Sequence, residues 1–299
     1  MRSDRRRGIV AALTVMLALA ACTRGGMAET ERIVHREKSL YRDIIVTENS
    51  EYRCMSFARR NGMQSCILRA NPQLLAVPYT RAALVGLVAN PEARRVLIIG
   101  LGGGVIPMAM RRIDPTLRID VVELDPAVLG VAKRYFNFRE DPRLRVAIGD
   151  GRVYVRRQAR KGMRYDLIVI DAYERVYVPE HMVTREFVAE VKSLLAPGGV
   201  IASNTFARGP LAPYEASTYQ SVFGETRNVE MTIGSRIILA GRDGLPSPSA
   251  MRRNAAALEN RLWRVGIQLP ELEATTQPRA IGYRPLTDQY SPANLLFEQ

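Results

Sequence analysis

Residues 96–104 read VLIIGLGGG, and this stretch decides the fold. Its first four residues are apolar without polar alternation, which indicates a strand buried on both faces. Four glycines follow within five positions: Gly100, Gly102, Gly103 and Gly104. Glycines let the backbone turn sharply and approach a ligand closely. The next residues, 105–112, predict a helix with Pro107 in its first turn, so the stretch opens a nucleotide-binding α/β unit.

Carboxylates follow three further apolar segments that read as buried strands. The segments are RIDVVELD at 118–125, LRVAIGDG at 144–151 and YDLIVIDAY at 165–173. Their acids are Glu123 with Asp125, then Asp150, then Asp171. One such acid is an ordinary helix cap, but a series places them at the strand ends where open parallel sheets bind ligands. Glu123 can accept hydrogen bonds from both hydroxyls of a ribose.

The first 22 residues have the pattern of a secretion leader. Residues 1–22 read MRSDRRRGIVAALTVMLALAAC, a basic head and a short apolar stretch that ends in small residues. A membrane span needs about 20 apolar residues, so this pattern favours a secretion signal. LAAC at 19–22 resembles the lipobox of bacterial lipoproteins, in which the cysteine is lipidated. We expect an exported lipoprotein that Cys22 anchors to the membrane, facing the periplasm or the cell exterior; the alternatives are an uncleaved anchor and a mis-assigned start codon.

The length and the charge of the chain indicate how many domains it has and which classes of partner it can bind. The formal net charge is +13, which favours anionic surfaces. The arginines are scattered and no nucleic-acid motif is present, so we predict a solvated basic surface and no nucleic-acid partner. The length suits one large domain and a small one. The predicted parts are a signal peptide at 1–22, a tether at 23–32, an N-terminal β-domain at 33–76 and an α/β domain at 77–299.

The β-domain contains two cysteines. The pattern of residues 33–75 predicts at least three short strands, with a hairpin turn at residues 61–62, Asn-Gly. A tight turn there would pair Phe57 with Cys66 and leave Cys54 out of register. This argues against a disulfide unless a bulge intervenes, so we predict two buried thiols.

Later segments complete the predicted α/β domain. We expect an apolar helix over 78–90, a helix capped by Thr184, a hairpin within 228–240 and a helix over 249–266 that buries Trp263. No Cys/His pattern suggests a metal site. The two histidines, His35 and His181, have no Ser-His-Asp context, which leaves hydrolase chemistry without support.

Several of these segments together resemble the spermidine synthase family. They are VLIIGLGGG (96–104), VVELDPAV (121–128), IGDG (148–151), DLIVIDAY (166–173) and LLAPGGV (194–200). PYTRAAL (78–84), VPEHMVTREF (178–187) and PLTDQYSP (285–292) are most similar to the spermidine-synthase-like domains that bacteria carry alone or fused to membrane transporters. AdoMet methyltransferases share the first two motifs, whereas the order of all of them is more specific.

The resemblance implies a Rossmann-like AdoMet-dependent transferase fold with a small N-terminal β-domain. It also implies a binding site for decarboxylated S-adenosylmethionine, or S-adenosylmethionine itself, and no metal. The residues that match this site are Gln64, Tyr79, Gly100, Gly102, Gly104, Glu123, Asp150 and Gly151. Asp171 would be the catalytic group, taking a proton from the attacking amine or orienting it. Glu174 would contact a small-molecule amine such as putrescine, and family members commonly form dimers or tetramers.

Two departures from the family pattern concern the amine. The family motif GGGDGG has an Asp where this chain has Gly103, and its D-S-x-D-P motif has a second Asp where this chain has Glu174. Losing one charged hydrogen bond costs about 1.5–3 kcal/mol, roughly 10- to 100-fold in affinity. The hypothesis is therefore an aminopropyltransferase whose nucleoside site is better preserved than its amine site. The alternatives are a methyltransferase, or another AdoMet-using enzyme, and a non-catalytic exported module.

Overall fold

The computed structural model describes residues 31–57, 63–172, 179–231 and 234–297. The first element is a four-stranded antiparallel sheet in chain order. Its strands are β1 (Arg32–Lys38), β2 (Asp43–Glu48), β3 (Tyr52–Phe57) and β4 (Met63–Leu68). Its buried face, which includes Ile44, Val46 and Met55, joins the main hydrophobic core. The prediction of a β-rich N-terminal piece is confirmed, whereas the predicted turn at 61–62 and the leader lie outside the described residues.

The prediction of two free thiols is wrong, because Cys54 and Cys66 form a disulfide. The two cysteines lie directly opposite each other on β3 and β4. The register shifts between Met55 and Ser56, so an extra residue on β4 forms a bulge there. The register also differs from that of a tight turn at residues 61–62, since Ser56 pairs with Met63. The sequence does not encode the bulge in any recognisable turn signal.

The second sheet carries the parallel strands predicted from the apolar segments. Those strands are β5 (Arg95–Ile99), β6 (Arg118–Glu123), β7 (Leu144–Ile148), β8 (Tyr165–Ile170) and β9 (Leu195–Phe206). Three strands, β10 (Arg227–Glu230), β11 (Ser235–Gly241) and β12 (Thr275–Thr276), extend the sheet beyond β9 as antiparallel partners. The spatial order is β12-β10-β11-β9-β8-β5-β6-β7. From β5 the strand order runs towards β7 on one side and towards β9 on the other. The boundary between β5 and β8 is therefore the topological switch point, where such sheets bind ligands.

Helices cover both faces of this sheet. They are α1 (Pro78–Ala82), α2 (Val85–Ala89), α3 (Val105–Ile113), α4 (Pro126–Tyr135), α5 (Gly151–Arg160), α6 (Arg185–Ser193), α7 (Ala212–Phe223), α8 (Pro248–Trp263) and α9 (Ala293–Phe297). One core cluster joins the sheet to α2, α3, α4 and α8, a second joins it to α5, α6 and α7, and a small third cluster includes Ala293 of α9. None of the helices in the described residues is both long enough and apolar enough to cross a membrane.

Two helix predictions need correction. The segment 78–90 forms two short helices rather than one, because its backbone switches to i→i−3 hydrogen bonds at Leu84 and again at Leu87. Trp263 is not in the core: it ends α8 with 73% of its surface exposed, while Leu258 and Leu262 are buried. The predicted Thr184 cap is confirmed, since its Oγ1 accepts a hydrogen bond from the N–H of Phe187 at 3.2 Å.

Candidate functional site

A cleft opens at the carboxyl ends of the parallel strands, beside the switch point between β5 and β8. It contains about 900 Å³ of empty space. Most of the residues predicted for the site line it: Gln64, Tyr79, Gly100, Gly102, Glu123, Asp150, Gly151 and Asp171. Gly104 does not line it, and Glu174 and Cys22 lie outside the described residues. The structure therefore brings together residues from both sheets that are far apart in sequence.

The glycine loop passes between β6 and β8. The N–H of Gly100 donates to the carbonyl of Val122 at 2.8 Å, and the N–H of Asp171 donates to the carbonyl of Ile99 at 2.8 Å. Gly100 has a φ of +100°, and a Cβ atom there would overlap the carbonyl of Asp171. The site therefore requires glycine at this position, for conformation and for space.

Gly103 and Gly104 face away from the cleft and contact neighbouring side chains. A Cβ atom at Gly103 would lie 2.8 Å from Oγ of Ser65 and 2.9 Å from the ring of Phe136. Gly104 has a φ of +72°, begins α3 and lies against Phe138. The position that carries an Asp in the family motif is thus filled by the packing of β4 and of the segment after α4.

Glu123 ends β6 and lies almost fully buried at the base of the cleft. Its Oε2 accepts a hydrogen bond from the N–H of Leu101, and its Oε1 accepts one from the N–H of Asp125, both at 2.9 Å. Each carboxylate oxygen keeps a second lone pair that can accept a hydroxyl. Burial raises the pKa of Glu123, although the two N–H donors and Arg42 oppose that rise.

Asp150 lies at the rim, where β7 meets α5. Its Oδ1 caps α5 by accepting the N–H of Val153 at 2.8 Å, and its Oδ2 lies 2.8 Å from Nε2 of His181. Burial alone would raise the pKa of Asp150, but the Val153 N–H and His181 outweigh it, so the pKa is lowered. The side chain is therefore an ionised acceptor that a ligand must share with a helix cap and a histidine.

Asp125 has a structural role. It caps α4 by accepting the N–H of Ala127 at 2.9 Å, and it accepts the hydroxyl of Ser39 at 2.5 Å. It is almost completely buried and does not line the cleft. Of the carboxylates after these strands, Asp125 is a cap, Asp150 is both a cap and a rim residue, and Asp171 caps none of the described helices.

Asp171 follows β8 and faces the cleft beside Tyr79. Nδ2 of Asn204, at the end of β9, donates to Oδ1 of Asp171 at 3.0 Å. Burial raises the pKa of Asp171 to about 6, and the negative charge of Glu123 adds to the rise; the hydrogen bond from Asn204 and the nearby Tyr79 hydroxyl oppose it. A carboxylate with this pKa is ionised near neutral pH and accepts a proton more readily than an ordinary aspartate.

Tyr79 closes the cleft next to Asp171. Its hydroxyl donates to the carbonyl of Gln64 at 2.6 Å, which links α1 to β4. Burial raises the pKa of Tyr79 well above its ordinary value, and the neighbouring Asp171 carboxylate raises it further. Tyr79 therefore stays neutral and lines the cleft with its ring and its hydrogen-bonded hydroxyl.

Several residues of the site are not predicted from the sequence. Arg42, Phe57 and His181 line the cleft, and Asn204 lies behind Asp171. The sequence contains a hint of Asn204, which is a polar residue inside the apolar segment VIASNTF. It lies one position beyond Ser203, the residue that pairs with the end of β8. His181 lies in the segment VPEHMVTREF, but that motif assigned it no role, and its position depends on a single 3-10 turn at Glu180–Met182.

Acceptor groups dominate the chemistry of this cleft. Glu123, Asp150 and Asp171 supply three carboxylates within one cleft. Within the described part of the chain, no group of three or more His, Cys, Asp or Glu side chains is placed to hold a metal ion. The arrangement suits a ligand that carries hydroxyls, an exocyclic amine or positive charge.

The sheet order, the glycine loop and the acid that ends β6 define a Rossmann-like transferase of the AdoMet-dependent class. The family model of the spermine/spermidine synthase domain matches residues 79–223. A polyamine aminopropyltransferase of Vibrio vulnificus is 43% identical over 276 residues, which cover 88% of this chain and 91% of that protein. The chain therefore belongs to the spermine/spermidine synthase family.

Solved structures agree with this fold. A probable spermidine synthase from Corynebacterium glutamicum superposes with a TM-score of 0.66 at 21% identity, covering 86% of this chain and 97% of that one. Human methyltransferase-like protein 13, in complex with SAH, superposes with a TM-score of 0.56 at 29% identity, covering 63% of this chain and 93% of that one. The predicted fold class is confirmed.

Proposed function

We propose that this protein transfers an aminopropyl group from decarboxylated S-adenosylmethionine to a putrescine-like amine. Its relationship to the Vibrio vulnificus polyamine aminopropyltransferase covers nearly the whole chain and supports this reaction. The observation that carries the proposal is the Asp171 carboxylate, which lies in the cleft with a pKa of about 6 and is held by Asn204.

The nucleoside of the donor fits the part of the cleft between β6 and α5. Glu123 has one free lone pair on each oxygen for the ribose hydroxyls, since each oxygen accepts a single backbone N–H. Asp150 and Gly151 would contact the adenine at the rim, and Gly100 and Gly102 allow close approach of the backbone to the rest of the donor. These assignments use acceptor sites that the hydrogen bonds within the protein leave open on Glu123 and Asp150.

The acceptor amine would lie at Asp171. Oδ1 of Asn204 is buried and has no hydrogen-bond partner among the described residues. Asn204 lies behind Asp171 and fixes its Oδ1, so the Asp171 carboxylate is the group that an amine nitrogen in the cleft would meet.

The chain's own residues provide positioning and a proton acceptor. The sulfonium of the donor supplies a good leaving group, so methylthioadenosine departs as the amine nitrogen bonds to the aminopropyl carbon. The carboxylate of Asp171 takes the proton that this nitrogen loses. Asn204 orients Asp171, and Tyr79 limits water access on one side.

The test is product analysis by mass spectrometry with a panel of donors and amines. Incubation with decarboxylated S-adenosylmethionine and putrescine is expected to yield methylthioadenosine and spermidine in equal amounts. Other diamines in the panel define the acceptor. Saturable donor binding without either product would contradict the proposed transfer.

Methyl transfer to an amine is the second candidate. The 29% identity to human methyltransferase-like protein 13 favours it, and so does the lack of space for an Asp at Gly103. The same experiment separates the two reactions, because methyl transfer from S-adenosylmethionine releases S-adenosylhomocysteine. A preference for S-adenosylmethionine over its decarboxylated form would favour this candidate.

We also propose that Cys22 is lipidated and anchors the protein outside the cytoplasm. The support is the LAAC segment at 19–22 after a basic and apolar leader. Labelling of cells with radioactive palmitate is expected to mark the wild-type protein but not Cys22→Ala. Equal labelling of both proteins, or of neither, would contradict lipidation at this residue.

A further inference from the structure

A row of arginines crosses the opposite edge of the same sheet, where the parallel strands begin. The amino-edge row consists of Arg95, Arg118, Arg143 and Arg145. Arg95 of β5 lies directly beside Arg118 of β6, and Arg145 of β7 lies beside Asp120 of β6. The N–H of Ile119 donates to the carbonyl of Arg143 at 2.7 Å, which places Arg143 next to Arg118.

All four side chains of the amino-edge row share one face of the sheet. Alternation along a strand puts Arg95 on the same side as Leu97, and Arg118 on the same side as Asp120 and Val122. Leu97 and Val122 belong to the core cluster beneath α5. The row therefore lies at the end of α5, about 20 Å along the strands from their carboxyl ends, as the length of five or six residues requires.

The protein offsets repulsion within the amino-edge row only in part: Asp120 lies beside Arg145, and Nη1 of Arg143 donates to the carbonyl of Pro115 at 3.5 Å. Neighbouring strands lie about 4.8 Å apart, and like charges directly opposite each other are destabilising. None of the four guanidinium groups forms an ion pair with any described residue. Asp120 is the acidic side chain next to the row, and its Oδ2 already accepts a hydrogen bond from the hydroxyl of Tyr165 at 3.0 Å.

The four arginines also surround a cleft. Its side chains line a cleft with about 460 Å³ of empty space, together with Ile119, Asp120 and Pro142. Arginines that only keep a surface solvated would spread apart over it, whereas these converge on one volume. With four guanidinium groups and one carboxylate, the cleft carries an excess of positive charge that a multivalent anion would neutralise.

We propose that this cleft binds a phosphate-bearing anion. Guanidinium groups form bidentate, charge-assisted hydrogen bonds with phosphate oxygens, and a phosphate offers enough oxygens for several arginines at once. The phosphate belongs either to a small soluble compound or to the headgroup of an anionic phospholipid, and the two share this chemistry. The cleft at the carboxyl edge is lined by carboxylates and would repel the same ligand.

Calorimetric titration of the full-length chain with inorganic pyrophosphate, at constant ionic strength, tests the small-compound source. Flotation with phosphatidylglycerol vesicles, against phosphatidylcholine vesicles, tests the headgroup source.

Two double variants test the residues. Arg118→Ala/Arg145→Ala removes two members of the row, and Arg253→Ala/Arg264→Ala removes the same charge from exposed positions on and after α8. Losing charged hydrogen bonds is expected to weaken binding of the effective probe about 10- to 100-fold in the first variant. The second variant should stay within about twofold of wild type.

Each outcome decides the proposal. Saturable pyrophosphate binding that depends on Arg118 and Arg145 supports a soluble phosphate ligand, and vesicle binding with the same dependence supports a headgroup. Failure of both probes to bind overturns the site, and so does an equal loss in the two variants, because that result reports only net charge. Transfer activity of Arg118→Ala/Arg145→Ala should equal that of wild type, so failure here is distinguishable from failure of the proposed reaction.

Discussion

The two edges of one parallel sheet carry opposite charges and are built differently. At the carboxyl edge, Glu123 and Asp150 each accept backbone N–H groups, and Asp171 is held by Asn204. At the amino edge, the arginines of the row are mostly exposed and form no ion pair with the described residues. The acids are thus held by hydrogen bonds within the protein, whereas the arginines of the row have only Asp120 as an acidic neighbour in their cleft.

Helix dipoles account for part of this contrast. The helices α3, α4 and α5 begin at the carboxyl edge, where their positive ends favour acids, and basic residues occupy their last turns at the other edge. The negative end of the α5 dipole also favours the amino-edge row, but none of these arginines forms an ion pair with a described carboxylate. The acids at the carboxyl ends of the strands therefore lie where the architecture favours negative charge, whereas the amino-edge row has more positive charge than the helix ends alone account for.

The largest expected effect is at Asp171. Asp171→Asn keeps the shape and the hydrogen bond to one oxygen but removes the proton acceptor, so turnover should fall about 10²- to 10⁴-fold. Donor affinity should change little, because Glu123 and Asp150 are intact. Turnover assays and calorimetric titration with methylthioadenosine measure the two quantities. Asp43→Asn, on the small sheet, is the matched control, and a similar loss of turnover in both variants would remove the special role of Asp171.

The next effect concerns Gly103, which departs from the family motif. Gly103→Asp should not improve turnover, because Ser65 and Phe136 fill the space that its side chain would enter. The crowding should lower the free energy of unfolding by about 1–3 kcal/mol. Chemical denaturation measures this against Gly130→Asp, where a Cβ atom would meet nothing within 4 Å. A stable Gly103→Asp with faster turnover would show that the carboxyl edge accommodates a further acid.

A smaller effect is expected in the pH dependence of kcat/KM. Activity requires ionised Asp171, whose pKa is raised to about 6, so kcat/KM should fall as the pH decreases through 6. Asn204 lowers that pKa by its hydrogen bond, so Asn204→Ala should move the acidic limb to higher pH, by about 0.5–1 unit. A lower kcat with an unmoved limb would mean that Asn204 only supports the structure.

The smallest effect is predicted at the amino edge. Arg118→Gln removes repulsion from Arg95 and Arg143, so the free energy of unfolding should rise by about 0.2–1 kcal/mol at low ionic strength. The gain should shrink with added salt, because salt screens exposed charges. Thermal unfolding at two salt concentrations measures both changes. A loss of stability would indicate that the row is neutralised within the protein.

The sequence predicts the part of the fold that depends on local pattern. Buried parallel strands have continuous apolar runs, so residues 96–104 and the segments that end in Glu123, Asp150 and Asp171 were located correctly. The cleft was predicted from the rule that these ends meet at one edge. The structure places the predicted residues there, except for Gly104, which begins α3, and Glu174 and Cys22, which lie outside the described residues.

Features that depend on tertiary packing were missed. The bulge that aligns Cys54 with Cys66 has no local sequence signal. Trp263 fits the apolar pattern of a helix, yet it falls on the last residue of α8, beyond the buried stripe. The amino-edge row depends on strand register, whereas in the sequence its arginines are scattered and predict only a solvated surface.

The most direct test of the central claim is a count of methylthioadenosine molecules released per protein chain over time. The full-length chain would be supplied with excess decarboxylated S-adenosylmethionine and putrescine, beside Asp171→Asn and Arg118→Gln. We predict many turnovers for the wild type and for Arg118→Gln, and almost none for Asp171→Asn. Release of one molecule or fewer per wild-type chain, or equal release by Asp171→Asn, would contradict a transferase site at the carboxyl edge.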